Sequence, residues 1–99
     1  MSVHVRARRL ANASPLIALA VDDAGDEDEM LIAVRDALSL LSSRQLLRCF
    51  SVLLDDDPTS ETYSTARNKN DASRRAWLCS WLGTGDFWPE QAFDTAYGY

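Results

Sequence analysis

Apolar residues recur along this chain mostly at helical spacing, and the recurrence divides it into segments. The clearest runs over roughly residues 26 to 42. There Met30, Leu31, Val34, Ala37, Leu38 and Leu41 gather on one side, and Arg35, Asp36 and Ser39 on the other. Ile32 falls among the polar residues. The next segment, SSRQLLRCFSVLLDDDP, carries Leu46, Leu47, Cys49, Phe50, Leu53 and Leu54 on a wide apolar face. Arg44, Gln45, Arg48 and Ser51 form its wet face, with Val52 at the margin. Ser43 is placed to cap this helix. So short a connection predicts that the two helices pack as a hairpin or turn a sharp corner.

The flanking segments read less cleanly. In MSVHVRARRL, Val3, Val5 and Ala7 alternate with polar residues, which is strand periodicity. Residues 1–13 are therefore expected to form an extended arm or a short edge strand. NASPLIALAVDDAG favours a helix capped by Ser14, with Pro15 at its first position and Gly25 ending it. The alternative is that LIALAV pairs as a strand with the first segment. Residues 58 to 82 read as helix, entered through Asp57 and Pro58 with Glu61 in the first turn. Asn68 and Asn70 weaken its middle, where Asp71 or Ser73 can recap it. Trp77, Leu78, Trp81 and Leu82 mark its second half, and Gly83 and Gly85 stop it. A last short helix is expected from Asp86 or the Trp88–Pro89 step, through Ala92, Phe93, Ala96 and Tyr97. The C-terminal quarter, with all three Trp, is expected to supply the aromatic half of the core. The expectation is an all-α single domain of four or five helices around one core, with the N-terminal arm outside it.

Charge adds a second pattern. The net charge is −5, which disfavours direct binding to nucleic acid at long range. The cations are nine Arg and one Lys, a bias for which the sequence offers no reason. Six acids crowd DDAGDEDEM. Asp26, Glu27, Asp28 and Glu29 fall in a predicted first helical turn, where unpaired N–H groups and the helix dipole favour anions. Asp22 and Asp23 have no such reason, and Asp55, Asp56 and Asp57 close a helix whose dipole they oppose. Natural sequences break local rules at functional sites. Asp22, Asp23, Asp55, Asp56 and Asp57, with Asp26 and Glu29 at their edge, are therefore candidate contacts to a basic surface on a partner protein. Ile32 and Val52 are candidate apolar anchors.

Catalytic and cofactor signatures are missing. His4 is the sole histidine, and Cys49 and Cys79 lie thirty residues apart, so no metal-ligand spacing or Cys–His pair emerges. Two cysteines within apolar helical patterns read as buried thiols of a reducing cytoplasm. GTGD at 83–86 lacks the lysine and the preceding strand of a phosphate loop and reads as a glycine stop. Acid runs lack EF-hand spacing. No stretch of ~20 apolar residues would span a membrane. Arg6, Arg8 and Arg9 before LIALAV resemble a leader only until the acidic block cuts the apolar run short. No cofactor or metal is expected.

Two functions fit what remains. The first is a small acidic non-enzymatic regulator or inhibitor that binds a protein. Phage or mobile-element anti-defence proteins of the anti-CRISPR kind, and toxin antidotes, are the classes this composition suits. Its partner would be a protein with a basic surface, a nucleic-acid-binding protein or complex being one such kind. The second is a helix-turn-helix DNA-binding regulator, with Arg44, Gln45 and Arg48 on the exposed face of its second helix and a second basic stretch, Arg67, Lys69 and Arg74, flanked by Tyr63 and Trp77 as stacking candidates.

Overall fold

The computed structural model describes residues 2–54 and 61–85, and all of the regular structure in them is helical. Six helices follow in order: α1 (Val3–Ala11), α2 (Pro15–Asp23), α3 (Glu27–Leu40), α4 (Ser43–Leu53), α5 (Glu61–Arg67) and α6 (Asp71–Thr84). The all-α single core expected from the pattern is the one observed. The predicted helix at the extreme C-terminus, with its aromatic residues, lies outside the described residues, as do Asp55, Asp56 and Asp57.

The largest departure is at the N-terminus. Residues 3–11 are neither arm nor strand but helix α1, capped by the Ser2 hydroxyl, which accepts from Val5 N–H at 3.3 Å. The sequence carries both templates there. Val3, Val5 and Ala7 satisfy a period of two; Val3, Arg6, Ala7 and Leu10 satisfy a helical face. Burial decides between them: Ala7 and Leu10 are fully buried and Arg6 nearly so, whereas Val5 is left exposed. Helix α1 is in fact central, packed against α2, α3, α4 and α6.

Local caps set the remaining boundaries. Ser14 caps α2, accepting from Leu16 N–H at 3.2 Å, with Pro15 behind it. LIALAV is thus helix, not strand. Asp26 caps α3 by accepting from Glu29 N–H at 2.9 Å, and the Glu29 carboxylate accepts from Gly25 N–H at 2.8 Å. Gly25 therefore joins the start of α3 rather than closing α2, which ends through Ala24 in extended backbone. Helix α4 is capped by Ser42, not Ser43. The Ser42 hydroxyl accepts from Gln45 N–H at 3.3 Å, while Gln45 Oε1 accepts from Ser42 N–H at 3.0 Å. Ser43 instead donates to Asp71, tying α4 to α6. Asn70, rather than Asp71 or Ser73, recaps the chain after α5, accepting from Ser73 N–H at 2.8 Å. Gly85 ends α6 with φ 79°, the left-handed conformation glycine adopts without strain, while Gly83 stays inside the helix.

The core runs through the middle of this array. Ile17, Val21, Met30, Val34, Leu38, Leu46, Phe50, Trp77, Leu78, Trp81 and Leu82 are buried together. The Phe50 and Trp77 rings lie 5.0 Å apart between centroids, tilted by 46°. Cys49 is also buried, which pushes its thiol up to about 12, so it packs as a protonated apolar group.

Arginine accounts for how the helices are pinned. Arg6 Nε donates to Leu82 O at 2.7 Å and Nη2 to Gly83 O at 3.3 Å, at the end of α6. Arg9 Nη2 donates to Leu53 O at 2.8 Å, at the end of α4. Arg75 donates to Leu38 O at 3.1 Å and Leu41 O at 2.8 Å, closing α3. Arg74 donates to Ala66 O at 2.8 Å and Arg67 O at 3.1 Å, closing α5, and pairs with Asp71 at 2.7 Å. The last carbonyls of a helix lack partners within it and carry its negative end. Helices α3, α4 and α6 have no base in their own last turn. Each takes one from elsewhere in the chain. A forked guanidinium can bond two carbonyls at once, as Arg6, Arg74 and Arg75 do here, and an ammonium holds no such fixed geometry. Four of the nine arginines are helix-end clamps.

Candidate recognition surfaces

Helix α2 departs from that rule. Helix α1 carries Arg8 and Arg9 in its last turn and α5 carries Arg67, while α3, α4 and α6 receive clamps. The last turn of α2 holds no base and instead holds Asp22 and Asp23. Both are exposed, and among the described residues neither forms an ion pair. A helix C-terminus and two carboxylates thus concentrate negative charge at one corner of the molecule.

Beside that corner lies an apolar groove. Leu16, Leu19, Ala20 and Asp23 from α2 face Ala33, Asp36, Ala37 and Leu40 from α3 across a hollow of about 310 Å³. Both sets have the spacing i, i+3, i+4, i+7, so each is one stripe of a helix. The alanines form its low positions. Leu19 is 61% exposed and Leu40 72%, and with Leu16 they border one hollow instead of standing singly on the surface. Ile32, also 61% exposed, lies one turn before Asp36 on α3, outside the lining of the hollow.

Of the residues that the sequence singled out, Asp23 lines this groove, Asp22 lies beside it at the end of α2, and Ile32 is exposed on α3 outside the lining; Leu16, Leu19, Asp36 and Leu40 were missed. The signal was present. A nine-residue helix buries one face, here Ile17 and Val21, yet LIALAV is apolar all round. Leu40 and Leu41 are likewise adjacent, and only Leu41 can point inward. Asp26 and Glu29, placed at the edge of the acidic surface, hold the start of α3 by the bonds given above. Val52 is half-buried on α4, away from this groove.

The basic residues separate into two groups. Arg74 is buried and turned inward onto α5. Arg67 is exposed and Lys69 half-buried. Arg44, Gln45 and Arg48 line a second hollow of about 510 Å³, with Ala13, Leu47, Ser51 and Tyr63. Helices α3 and α4 make no substantial packing contact with each other: α3 packs on α1, α2 and α6, and α4 on α1, α5 and α6. The two therefore turn a corner rather than form a hairpin, and Arg44 and Arg48 sit in a concavity. Among the described residues no three His, Cys, Asp or Glu side chains converge as metal ligands. No described helix is long and apolar enough to cross a membrane.

No protein-family model matches the chain, and no curated protein or solved structure shows significant similarity to it.

Proposed function

We propose that this protein is a non-enzymatic regulator or inhibitor that binds another protein through the α2–α3 groove. The observation that carries this reading is the juxtaposition of the groove with the unclamped, acidic end of α2. Exposed leucines in a concave stripe fit an amphipathic segment of a partner, laid in with its apolar side down. Asp22, Asp23 and Asp36 select a segment that also carries Lys or Arg. A partner cation at the end of α2 would complete the arrangement that arginines complete at the other helix ends. Such a segment belongs to a protein with a basic surface, as nucleic-acid-binding proteins and complexes have. An anti-defence protein or a toxin antidote would use a surface of this kind to occlude such a partner.

The helix-turn-helix reading is less well supported, because the helix bearing Arg44 and Arg48 packs little on its predecessor and Gln45 is engaged in the cap of α4. The test is affinity capture from the source cells with the folded wild-type protein and with Leu19→Arg/Leu40→Arg. A partner retained by the first and lost by the second supports the groove. Equal retention by both excludes it. A labelled duplex pool shifted at physiological salt, and no longer shifted by Arg48→Ala, would establish the DNA-binding reading instead.

A further inference from the structure

The second hollow, on α4 and α5, has no part in the groove just described. It is lined by Ala13 before α2, by Arg44, Gln45, Leu47, Arg48 and Ser51 of α4, and by Tyr63 of α5. At about 510 Å³ it falls within the range of small-molecule sites. Arg44 and Arg48 are one turn apart, so two guanidinium groups share one wall. Like charges at that spacing repel each other. Among the described residues neither arginine has an acid within ion-pair distance. Neither clamps a helix end, unlike Arg6, Arg9, Arg74 and Arg75. Elsewhere the lining changes character: Ala13 and Leu47 are apolar, Tyr63 is a half-buried aromatic ring, and Gln45 and Ser51 are polar but uncharged.

We infer that this hollow binds a small phosphomonoester joined to a planar ring, of mononucleotide size. Two forked guanidinium groups match the oxygens of one dianionic phosphate better than they match a single carboxylate. Tyr63 offers a ring on which a base stacks, and Ala13 and Leu47 cover its edge. The Gln45 side chain accepts from Ser42 N–H through Oε1, which directs its amide N–H₂ away from the cap as a further donor. The hollow is too small for a duplex to lie in, and two cations are too few to hold one at physiological salt.

Isothermal titration calorimetry with adenosine monophosphate, inorganic phosphate and a 5′-phosphorylated oligonucleotide tests this on the whole chain. The nucleotide should bind the wild type with a measurable constant. Binding should weaken about tenfold or more in Arg44→Ala and in Arg48→Ala, since each removes a charge-assisted bond. It should weaken in Tyr63→Ala as well, and inorganic phosphate should bind more weakly than the nucleotide. Arg44 and Arg48 are exposed, so these variants should melt with the wild type, and circular dichroism checks that they do. No heat with the nucleotide at millimolar concentration overturns the proposal. So does equal affinity for inorganic phosphate, or binding that survives both arginine substitutions. An oligonucleotide that binds far more tightly than the nucleotide, with a salt dependence beyond two phosphates, would reassign the hollow to an extended nucleic-acid surface.

Discussion

Truncating Arg6 would strand two carbonyls at the end of α6 and leave a gap in a wall of the core. Arg6→Ala is expected to cost about 1.5–3 kcal/mol, the range for a hydrogen bond to a charged group. Arg6→Lys should recover little of it, because an ammonium cannot fork between Leu82 O and Gly83 O. Arg8→Ala, an exposed change on the same helix, should fall within about 0.5 kcal/mol of wild type. Denaturant midpoints of the three variants measure the contrast. Asp71 makes a pH-dependent case. Its carboxylate accepts from Ser43 and is paired with Arg74, and these contacts hold its pKa below the ordinary 3.8. A lowered folded value means that the folded state favours the ionised form. The resulting stability is present above about pH 4 and is lost as pH falls through the folded value. The difference in melting midpoint between wild type and Asp71→Asn should therefore shrink as pH drops below 4. A difference that stays constant would mean that the carboxylate charge contributes nothing. These clamps were not legible in the sequence. Arg6, Arg9, Arg74 and Arg75 each reach carbonyls of another helix, and no local pattern encodes a partner seventy-six positions away.

At the scale of the element, legibility followed the length of the pattern. Helix α3 offered fourteen residues and a full apolar face, and its predicted start at Asp26 is its cap. The N-terminal segment offered three alternating residues that also fit a helix, and only burial of Ala7 and Leu10 against four neighbours breaks the tie. Caps shifted by a single residue, from Ser43 to Ser42 and from Asp71 to Asn70, because adjacent residues were equally able to cap. The acids around residue 25 now separate by helix end, which gives a paired prediction. Glu27→Lys/Asp28→Lys puts cations on the positive end of α3 and should destabilise by roughly 0.5–2 kcal/mol. Asp22→Lys/Asp23→Lys puts cations on the negative end of α2 and should stabilise the isolated protein. Thermal melts of the two variants decide it: midpoints that move the same way would show that net charge, not the helix dipole, governs both.

At the scale of the whole molecule, four of the five large apolar side chains exposed among the described residues, Leu16, Leu19, Ile32 and Leu40, lie on α2 and α3, the first of which ends in Asp22 and Asp23, while Arg44 and Arg48 line a separate hollow. The sequence showed the acids but not the groove, because a groove is made by two helices and each helix alone shows only surplus leucines. Here stability and function are predicted to move in opposite directions, since the proposed partner contact would use acids that weaken the end of α2. The kinetics of that encounter form the most direct test. Surface plasmon resonance on the captured partner should show Asp22→Lys/Asp23→Lys slowing association strongly at low salt, with the effect fading as charge is screened over about 8–10 Å. In the same measurement Leu19→Arg/Leu40→Arg should chiefly hasten dissociation, because it removes the groove's contacts. Wild-type rates in both variants, each shown to be folded, would contradict the account.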